Sequence, residues 1–401
     1  MNFREWISDV SSNEWLIYIK RLSANDTGAT KSHQVGVYFP KTVLATVFPS
    51  IDKKDIKNPD AHFKAKIESD DVEEQTLRVI YYNNRFSENK KGGRNEKRIT
   101  CWKDGVAYTP LQDPEKTGSI AIFAFNANTP GNSEYMRAWV CHDLEEESYI
   151  EDQLGEISSQ DKFFDYGHAV FSGFAQGHEL KAEKYPEDWN NEFPKGIEII
   201  DYLFKQSLHA DLVPDKRILK RRDHEFNLFK LIERHHTLPL IQGGFNNVEE
   251  FIKLANSISN RRKSRSGKSL ELHLENIFRE QQLLQFGTQC KTEGNKRPDF
   301  LFPNCGSYHD ENYDAGKLRM LAVKTTVKDR WRQILNEAKR IDVFYLFTLQ
   351  QGVSENQFSE MQSEGVQLVV PEELHKTFPK SVQPKLMTLD SFIEDTKVLY
   401  L

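Results

Sequence analysis

The chain has few cysteines, and their spacing follows neither a metal-binding nor a disulfide pattern. Only Cys101, Cys141, Cys290 and Cys305 occur among 401 residues, and no two of them form a CxxC pair. This scatter argues against a zinc site of the usual spacing. It predicts reduced thiols in a cytoplasmic protein rather than a disulfide framework.

Long apolar runs are also missing. No segment approaches the roughly 18 apolar residues that a membrane-spanning helix needs. The first ten residues, MNFREWISDV, carry acids and no apolar core, so we expect no signal peptide. With 38% hydrophobic and 11% aromatic residues, the composition predicts a globular protein of roughly two domains.

An overall positive charge is absent, because the net charge is −6. The basic residues are concentrated instead: residues 90–98 hold five and one acid, and residues 261–268 hold five and no acid. One such run alone is most often a solvated face. Two of them in a chain with a candidate metal site favour a nucleic-acid partner. The acidic run at residues 143–156 is interpreted as solvated surface.

The distribution of apolar residues predicts a mainly β N-terminal half and an α/β C-terminal half. Short β-branched and aromatic runs between turn residues predict strands in the first 142 residues, as in a barrel or sandwich. These runs are WLIYIKRL, QVGVYFP, HFKAKI, TLRVIYY, SIAIFAFN and MRAWVCH. Helical spacing appears in IEIIDYLFKQSL, FNLFKLIERHH, VEEFIKLANSIS and SLELHLENIFREQQLL, and buried strands in VFYLFTL and VQLVVP. We therefore expect an α+β chain with domains at residues 1–175 and 196–401 and a hinge at residues 176–195.

Residue types with catalytic chemistry are concentrated between residues 297 and 337. PDFLFP and MLAVKTT read as strands, which puts Asp299 at the head of one and Lys324 inside the next. Helical spacing follows from Trp331 to Ala338 and includes Glu337. Two carboxylates can hold Mg²⁺, which lowers the pKa of a bound water. A lysine beside them can orient the nucleophile or stabilise charge on a phosphate.

This segment resembles the PD…(D/E)xK nucleases, with one departure. The acid that usually lies two residues before the lysine is replaced by Ala322, so Glu337 is the candidate for the second metal ligand. The chain is similar to EcoRII-type (Type IIE) restriction endonucleases over nearly its whole length. The segments that carry this similarity are SANDTGAT…HQVGVY, RNEKRIT, ISNRRKSRSGKSLELHLE, EGNKRPDFLFP and LAVKTTVKDRWRQILNEA.

The resemblance implies a homodimeric, Mg²⁺-dependent endonuclease that cuts double-stranded DNA at 5′-CCWGG, ahead of the first cytosine. A cognate cytosine methyltransferase would be its functional partner. The N-terminal domain would be a β-pseudobarrel that binds a second, effector copy of the site. It would also restrain the C-terminal restriction-endonuclease-like domain, with its central mixed sheet, until DNA binds.

The candidate site residues follow from the motif and the resemblance together. Asp299 and Glu337 would bind the metal and Lys324 would assist the attacking water, with Glu271 and Tyr308 as further members of the site. Arginine can fork onto guanine O6 and N7, and a carboxylate can accept from cytosine N4. The residues expected to contact DNA on this basis are Lys328, Asp329, Arg330, Arg222, His33, Tyr38, Arg78, Arg94, Glu96, Lys97 and Arg98.

Other interpretations stay open at this point. Glu271 also suits the positive end of a helix dipole as a simple N-terminal charge, and charges in the N-terminal hairpins also suit a solvated surface. Ala322, in place of a carboxylate, would fit a non-cleaving DNA-binding regulator on a degenerate nuclease scaffold. Tyr308 would fit a recombinase that forms a phosphotyrosyl bond, although nothing fixes the arginines and histidines that this chemistry needs.

Overall fold

The computed structural model describes residues 1–29, 36–88, 92–102, 105–106, 108–127, 131–154, 157, 163–171, 184–327 and 330–400. The chain divides into two compact units. The first comprises Met1–His178, Gln351–Gln357 and Lys376–Val382, and the second comprises Glu179–Gln350, Phe358–His375 and Gln383–Leu401. Within the described ranges, no helix combines the length and the apolar character needed to cross a membrane.

The N-terminal unit is built on a mixed sheet. Its described strands are β1 (Trp15–Arg21), β2 (Asp60–Ile67), β3 (Gln75–Tyr82), β4 (Glu96–Thr100), β5 (Ile120–Asn126), β6 (Tyr135–Val140) and β7 (Phe163–Tyr166). They lie in the order β4-β3-β2-β6-β5-β1-β7. The β2–β6 pair is parallel, and the other pairs are antiparallel.

Both faces of this sheet are covered, which explains why its central strands read as unbroken apolar runs. On β1, Leu16 and Tyr18 pack into one core, whereas Ile17 and Ile19 pack into a second core on the other face. Alternate residues of a strand point to opposite faces, so each face needs its own apolar set. The helices of this unit are α1 (Phe3–Val10), α2 (Lys41–Val47), α3 (Asn84–Ser87), α4 (Leu144–Leu154) and α5 (Gly167–Phe171).

Most strand predictions in this half are confirmed, and two expectations are wrong. The described part of QVGVYFP contains only an isolated bridge at Tyr38 instead of a strand. The acidic run is not simply solvated, because it forms α4 and Glu147 is 1% exposed. Glu147 accepts a hydrogen bond from Arg21 at 2.9 Å, so a buried arginine accounts for the buried acid.

The C-terminal unit contains a second mixed sheet, as the sequence predicted. Its described strands are β8 (Gly287–Thr288), β9 (Phe300–Phe302), β10 (Arg319–Lys324), β11 (Phe344–Thr348) and β12 (Val366–Val369), in the order β12-β11-β10-β9-β8. Strands β10, β11 and β12 are parallel, and β8 and β9 complete the sheet in antiparallel pairing.

The helices from residue 196 onward differ from the predicted ones in length more than in place. They are α6 (Gly196–Lys205), α7 (Pro214–Gly243), α8 (Val248–Glu280), α9 (Cys305–His309), α10 (Trp331–Ile334), α11 (Glu355–Ser363), α12 (Glu372–His375) and α13 (Leu389–Val398). The two helices predicted around the basic run are one helix, α8. Arginine and lysine are good helix formers, so the helix continues through the basic run. Because this run contains no apolar residues, it interrupts the apolar periodicity from which a helix is predicted.

The start of α7 is tied to the C-terminal helices by one carboxylate. Asp215 is 3% exposed and accepts hydrogen bonds from the backbone N–H groups of Glu372, Leu389 and Asp390 at 2.9–3.0 Å. These N–H groups belong to the first turns of α12 and α13, where intrahelical partners are lacking. Burial raises the pKa of Asp215, and the three backbone donors oppose that rise.

The prediction of reduced thiols is wrong for Cys290 and Cys305, which form a disulfide with Cα atoms 5.4 Å apart. Cys290 follows β8 and Cys305 begins α9, 15 residues further along the chain, so no short sequence motif predicts the pair. Gly287 lies against both sulfur atoms. A Cβ there would come within 2.6 Å of Cys290 Sγ and 2.9 Å of Cys305 Sγ.

Candidate active site

Strand pairing brings Asp299 and Lys324 together. Asp299 directly precedes β9, and the β9–β10 register pairs Phe300 with Leu321. Asp299 Oδ2 accepts a hydrogen bond from the backbone N–H of Val323 at 2.7 Å and from Lys324 Nζ at 3.2 Å. The carboxylate and the ammonium are both mostly buried, with side-chain exposures of 11% and 16%. The predicted acid–lysine pair is therefore formed.

Glu337 lies close enough to this pair to interact with it electrostatically. It is not on the predicted helix, because α10 ends at Ile334 and Glu337 follows in a bend. The pKa of Glu337 is raised to about 7, mainly by burial; Lys324 opposes the rise and Asp299 contributes to it. Glu337 Oε2 is buried and has no hydrogen-bond partner among the described residues. A buried carboxylate oxygen without a donor is unfavourable unless a cation or a proton compensates it.

Glu271 belongs to the same cluster. It lies on α8 in the last third of that helix, so the simple N-terminal charge considered for it does not apply. Burial raises the pKa of Glu271, and the nearby Asp299 adds to the rise. Gln289 links the two acids, because its Nε2 lies 3.2 Å from Glu271 Oε2 and 3.4 Å from Asp299 Oδ1. Sequence reasoning missed Gln289.

The cluster is suited to a hard cation that brings most of its own ligands. Among the described residues, no group of three or more His, Cys, Asp or Glu side chains is arranged to hold a metal by itself. Mg²⁺ is commonly held by one or two carboxylates together with waters and substrate phosphate oxygens. The partnerless oxygen of Glu337 and the mutual charge effects of Asp299 and Glu337 fit that donor set.

Tyr308 faces away from this chemistry. The phenol is 3% exposed and donates a hydrogen bond to Glu293, while the Tyr308 carbonyl accepts one from Arg340. Burial and the contact with Glu293 raise its pKa to about 12. A neutral, buried and occupied phenol is poorly suited to act as a nucleophile. The geometry therefore gives no support to phosphotyrosyl chemistry.

Arg222 is buried in a network between α7 and α8, not at an exposed helix end. Arg222 Nη1 donates to Ser269 Oγ at 2.8 Å, and Ser269 in turn donates to Glu225. Glu225 also contacts His273 Nε2 at 3.0 Å and Arg265 Nη1 at 3.5 Å. All five side chains are at most 9% exposed.

The N-terminal candidates are divided between the two faces of the sheet. Arg78 ion-pairs with Asp60 at 2.6 Å, Arg98 with Glu96 at 3.1 Å, and Tyr38 bridges to Arg98. Arg94 lies over the Tyr82 ring, which is opposite Glu96 in the β3–β4 register. Lys97 has the reverse orientation: it is 3% exposed and pairs with Asp52 at 2.7 Å.

Three candidates, His33, Lys328 and Asp329, lie outside the described residues. Arg330 is described, half-buried at the start of α10, where its N–H donates to the Val327 carbonyl at 2.7 Å.

Comparison with known proteins gives matches along the whole chain. The family model described as "Restriction endonuclease EcoRII, N-terminal" matches residues 11–165, and the one described as "EcoRII C terminal" matches residues 229–393. The "Type II restriction enzyme EcoRII" of Escherichia coli is 46% identical over 401 residues, which cover 99% of this chain and 98% of that protein.

Solved structures match over about half of the chain. Metal-depleted Ecl18kI in complex with uncleaved, modified DNA has 19% identity and a TM-score of 0.43, and covers 53% of this chain and 81% of that one. The complex with uncleaved DNA has the same identity and TM-score, and covers 54% and 85%.

Proposed function

The chain belongs to the EcoRII family of Type II restriction enzymes, and from that premise we propose that it cuts both strands of DNA at 5′-CCWGG in a Mg²⁺-dependent reaction. It is a Type II site-specific DNA endonuclease, so the alternative of a non-cleaving regulator is not favoured. Its target sequence, its metal, its cut ahead of the first cytosine and its cognate cytosine methyltransferase are parts of the proposal.

One observation carries the chemical part of the proposal. The Asp299–Lys324 pair lies beside Glu337, whose buried Oε2 has no partner among the described residues. When bound by Asp299 and Glu337, Mg²⁺ would lower the pKa of a coordinated water and neutralise charge on the phosphate. Lys324, held at 3.2 Å by Asp299, would orient the attacking water and stabilise the negative charge that develops on the phosphate.

The carboxylates have to be ionised for this role. The backbone N–H of Val323 and the ammonium of Lys324 both donate to Asp299 Oδ2, and these contacts fix the position of the carboxylate. Glu337, with a pKa of about 7, would give up its proton as the cation binds. Glu271 would act from the outer side of Asp299, to which Gln289 connects it.

Recognition of DNA would involve both units separately. In the catalytic unit, Lys328, Asp329 and Arg330 would read CC/GG from the segment between β10 and α10, and Arg222 would act near the central base pair. The burial of Arg222 means that its guanidinium would first have to leave Ser269.

In the N-terminal unit, which we propose to be the effector pseudobarrel over residues 1–175, one exposed pair supports a DNA-facing surface. Arg78–Asp60 is exposed on both sides, so phosphates and bases can compete for Arg78. Arg98 is mostly buried beside Glu96 and would have to leave that pair to reach DNA. His33, Tyr38, Arg94 and Lys97 would complete the effector-binding set. Binding there would relieve the restraint on the nuclease domain. For Lys97, this role requires release from the buried pair with Asp52.

A homodimer follows from the proposed reaction. The described residues of one chain form one such acid–lysine site, whereas a concerted cut in both strands uses two. A two-fold-related pair of chains would present one site to each strand of a nearly palindromic target. We expect the dimer to form through the nuclease domains of residues 196–401, beyond the hinge at residues 176–195.

Plasmid cleavage tests this proposal. One plasmid carries several CCWGG sites and a matched plasmid carries none, and each is incubated with Mg²⁺ or with EDTA. We expect cutting of the first plasmid only, only with Mg²⁺, and not by Asp299→Ala. Cutting of both plasmids would overturn the target while leaving the site intact. Cutting in EDTA would overturn the metal.

A further inference from the structure

Gln289 occupies a position between two acids of the site that come from different elements. Its Nε2 lies within hydrogen-bonding distance of Glu271 Oε2 on α8 and of Asp299 Oδ1 before β9, at 3.2 and 3.4 Å. Its backbone N–H also donates to the Asp299 carbonyl at 3.3 Å, which continues the β8–β9 ladder by one residue. Side chain and backbone therefore both connect Gln289 to Asp299.

A neutral donor in this place has a different effect from a basic residue. Both carboxylates lie within reach of the same amide nitrogen, and this donor offsets the repulsion between their negative charges. An amide does so without adding a positive charge, whereas a lysine or arginine there would compete with a cation. The site thus keeps its negative charge and gains a fixed spacing.

The backbone around Gln289 is fixed from several sides. Its φ is +52°, a left-handed conformation that glycine adopts freely and that costs other residues about 1–3 kcal/mol. The adjoining segment is held by the Cys290–Cys305 disulfide and by a hydrogen bond from Thr292 to the Glu337 carbonyl. The amide of Gln289 therefore projects from a fixed backbone position.

We propose that Gln289 is a positioning residue that holds the Glu271 and Asp299 carboxylates in the arrangement required to bind the divalent cation. This inference rests on the proposed function, since it presumes that Asp299 is a metal ligand. The partners that orient ligands in metal sites typically change metal affinity or activity by about 10- to 100-fold when they are removed.

The first test measures Ca²⁺ binding by calorimetry, with the metal alone and no DNA, because Ca²⁺ takes the same oxygen ligands without requiring turnover. Gln289→Met keeps the length of the side chain and removes the amide. We expect its Ca²⁺ affinity to fall by about 10-fold or more. Gln282→Met is the matched control, since Gln282 is also exposed and also has a positive φ, of 63°. Its affinity should equal that of the wild type.

A second variant separates positioning from a structural role. Gln289→Gly removes the amide and relieves the backbone at φ +52°. We expect a melting temperature equal to or above that of the wild type, together with the same loss of Ca²⁺ affinity. A loss of thermal stability in parallel with the loss of affinity would assign Gln289 a structural role and overturn the proposal.

A double-mutant cycle tests whether Gln289 acts through Glu271. The loss of Ca²⁺ affinity caused by Gln289→Met should be several-fold smaller when Glu271→Gln is already present. This is expected because substitutions of residues that interact do not have additive effects. Additive losses would overturn the proposal.

Ca²⁺ binding by the wild type distinguishes failure of the proposed metal site from failure of the proposed role of Gln289. If it does not bind Ca²⁺ in a manner that Asp299→Asn abolishes, the proposed metal site fails, and this inference fails with it. If the wild type binds and Gln289→Met binds equally well, only the positioning role is overturned.

Discussion

Two carboxylates in the C-terminal unit, Glu225 and Glu337, show how the partners that the fold supplies lead to opposite roles. Glu225 is 1% exposed and is surrounded by Ser269, His273 and Arg265. Burial alone would raise its pKa, but the hydrogen bond with His273 and the charges of Arg265 and Arg222 lower it to about 2, so it is ionised and satisfied. Burial keeps His273 neutral, as its lowered pKa shows.

Glu337 shows the opposite behaviour. Its pKa is raised to about 7, mainly by burial and with a contribution from Asp299, and Oε2 has no partner among the described residues. A carboxylate whose partners are all supplied by the fold contributes to stability, whereas one whose partners are missing costs stability until a ligand arrives. The comparison teaches that a functional acid in this unit is recognised by what the fold leaves unsatisfied.

The largest expected effect comes from the site itself. Asp299→Asn should lower the rate of plasmid cleavage by at least about 1,000-fold, because a neutral amide neither binds the cation nor holds Lys324. Single-turnover cleavage measures this loss. The melting temperature and the affinity for a CCWGG duplex should change little. A mutant that still cuts at one-tenth of the wild-type rate would contradict the assignment.

Disruption of the hydrogen-bonded network around Glu225 should lower the stability of the fold. Glu225→Gln should lower the free energy of unfolding of this unit by roughly 3–5 kcal/mol at pH 7, because Arg265 would be left buried without its charge partner. The folded pKa of about 2 is below the usual value of 4.5. The stabilisation is therefore complete above about pH 4.5 and is lost as the pH falls toward 2.

Urea denaturation of Glu225→Gln at pH 7 and at pH 3 measures this effect, with the exposed Glu249→Gln as the matched control. The difference from the wild type should be smaller at pH 3. An unchanged denaturation midpoint at pH 7 would mean that the network does not stabilise the fold.

Glu337→Gln should change the free energy of unfolding in the opposite direction from Glu225→Gln. The folded pKa of about 7 is above the usual 4.5, so the ionised group costs stability at high pH, and this cost fades as the pH falls toward 4.5. In EDTA at pH 8, the variant should therefore be more stable than the wild type by roughly 1–3 kcal/mol, although it no longer cuts. Urea midpoints at pH 8 and pH 5 check this. A variant less stable than the wild type at pH 8 would remove the contrast with Glu225.

The smallest effect on activity is expected at Tyr308. Tyr308→Phe removes the hydrogen bond to Glu293 and should lower stability by roughly 1–2 kcal/mol, because the lost bond goes to a charged group. The cleavage rate should stay within about threefold of the wild type. A complete loss of DNA chemistry would restore the phosphotyrosyl alternative.

Much of the site was predictable because it depends on local sequence. The apolar runs on both sides of Asp299 and Lys324 are long enough to show strand character, and antiparallel pairing then brings the two residues together. The position of Glu337 near this pair was also predicted, but not its surroundings. The helix that was expected to carry it ends three residues earlier, at Ile334.

The parts that were missed depend on contacts between distant segments. Gln289 has no motif of its own, and only the continued β8–β9 register places it beside Asp299. The disulfide joins Cys290, just after β8, to Cys305, at the start of α9, and no motif links these two positions. Burial of Arg222 and Lys97 was hidden because the groups that accept their hydrogen bonds, Ser269 and Asp52, lie on other elements.

The carboxylate of Asp215 has a consequence for protein synthesis. It accepts hydrogen bonds from N–H groups of residues 157 to 175 positions further along the chain. During synthesis, α7 therefore leaves the ribosome long before the residues that donate to its buried acid. A nascent chain interrupted before Glu372 would lack all three donors, so we expect its C-terminal unit to stay incomplete and inactive.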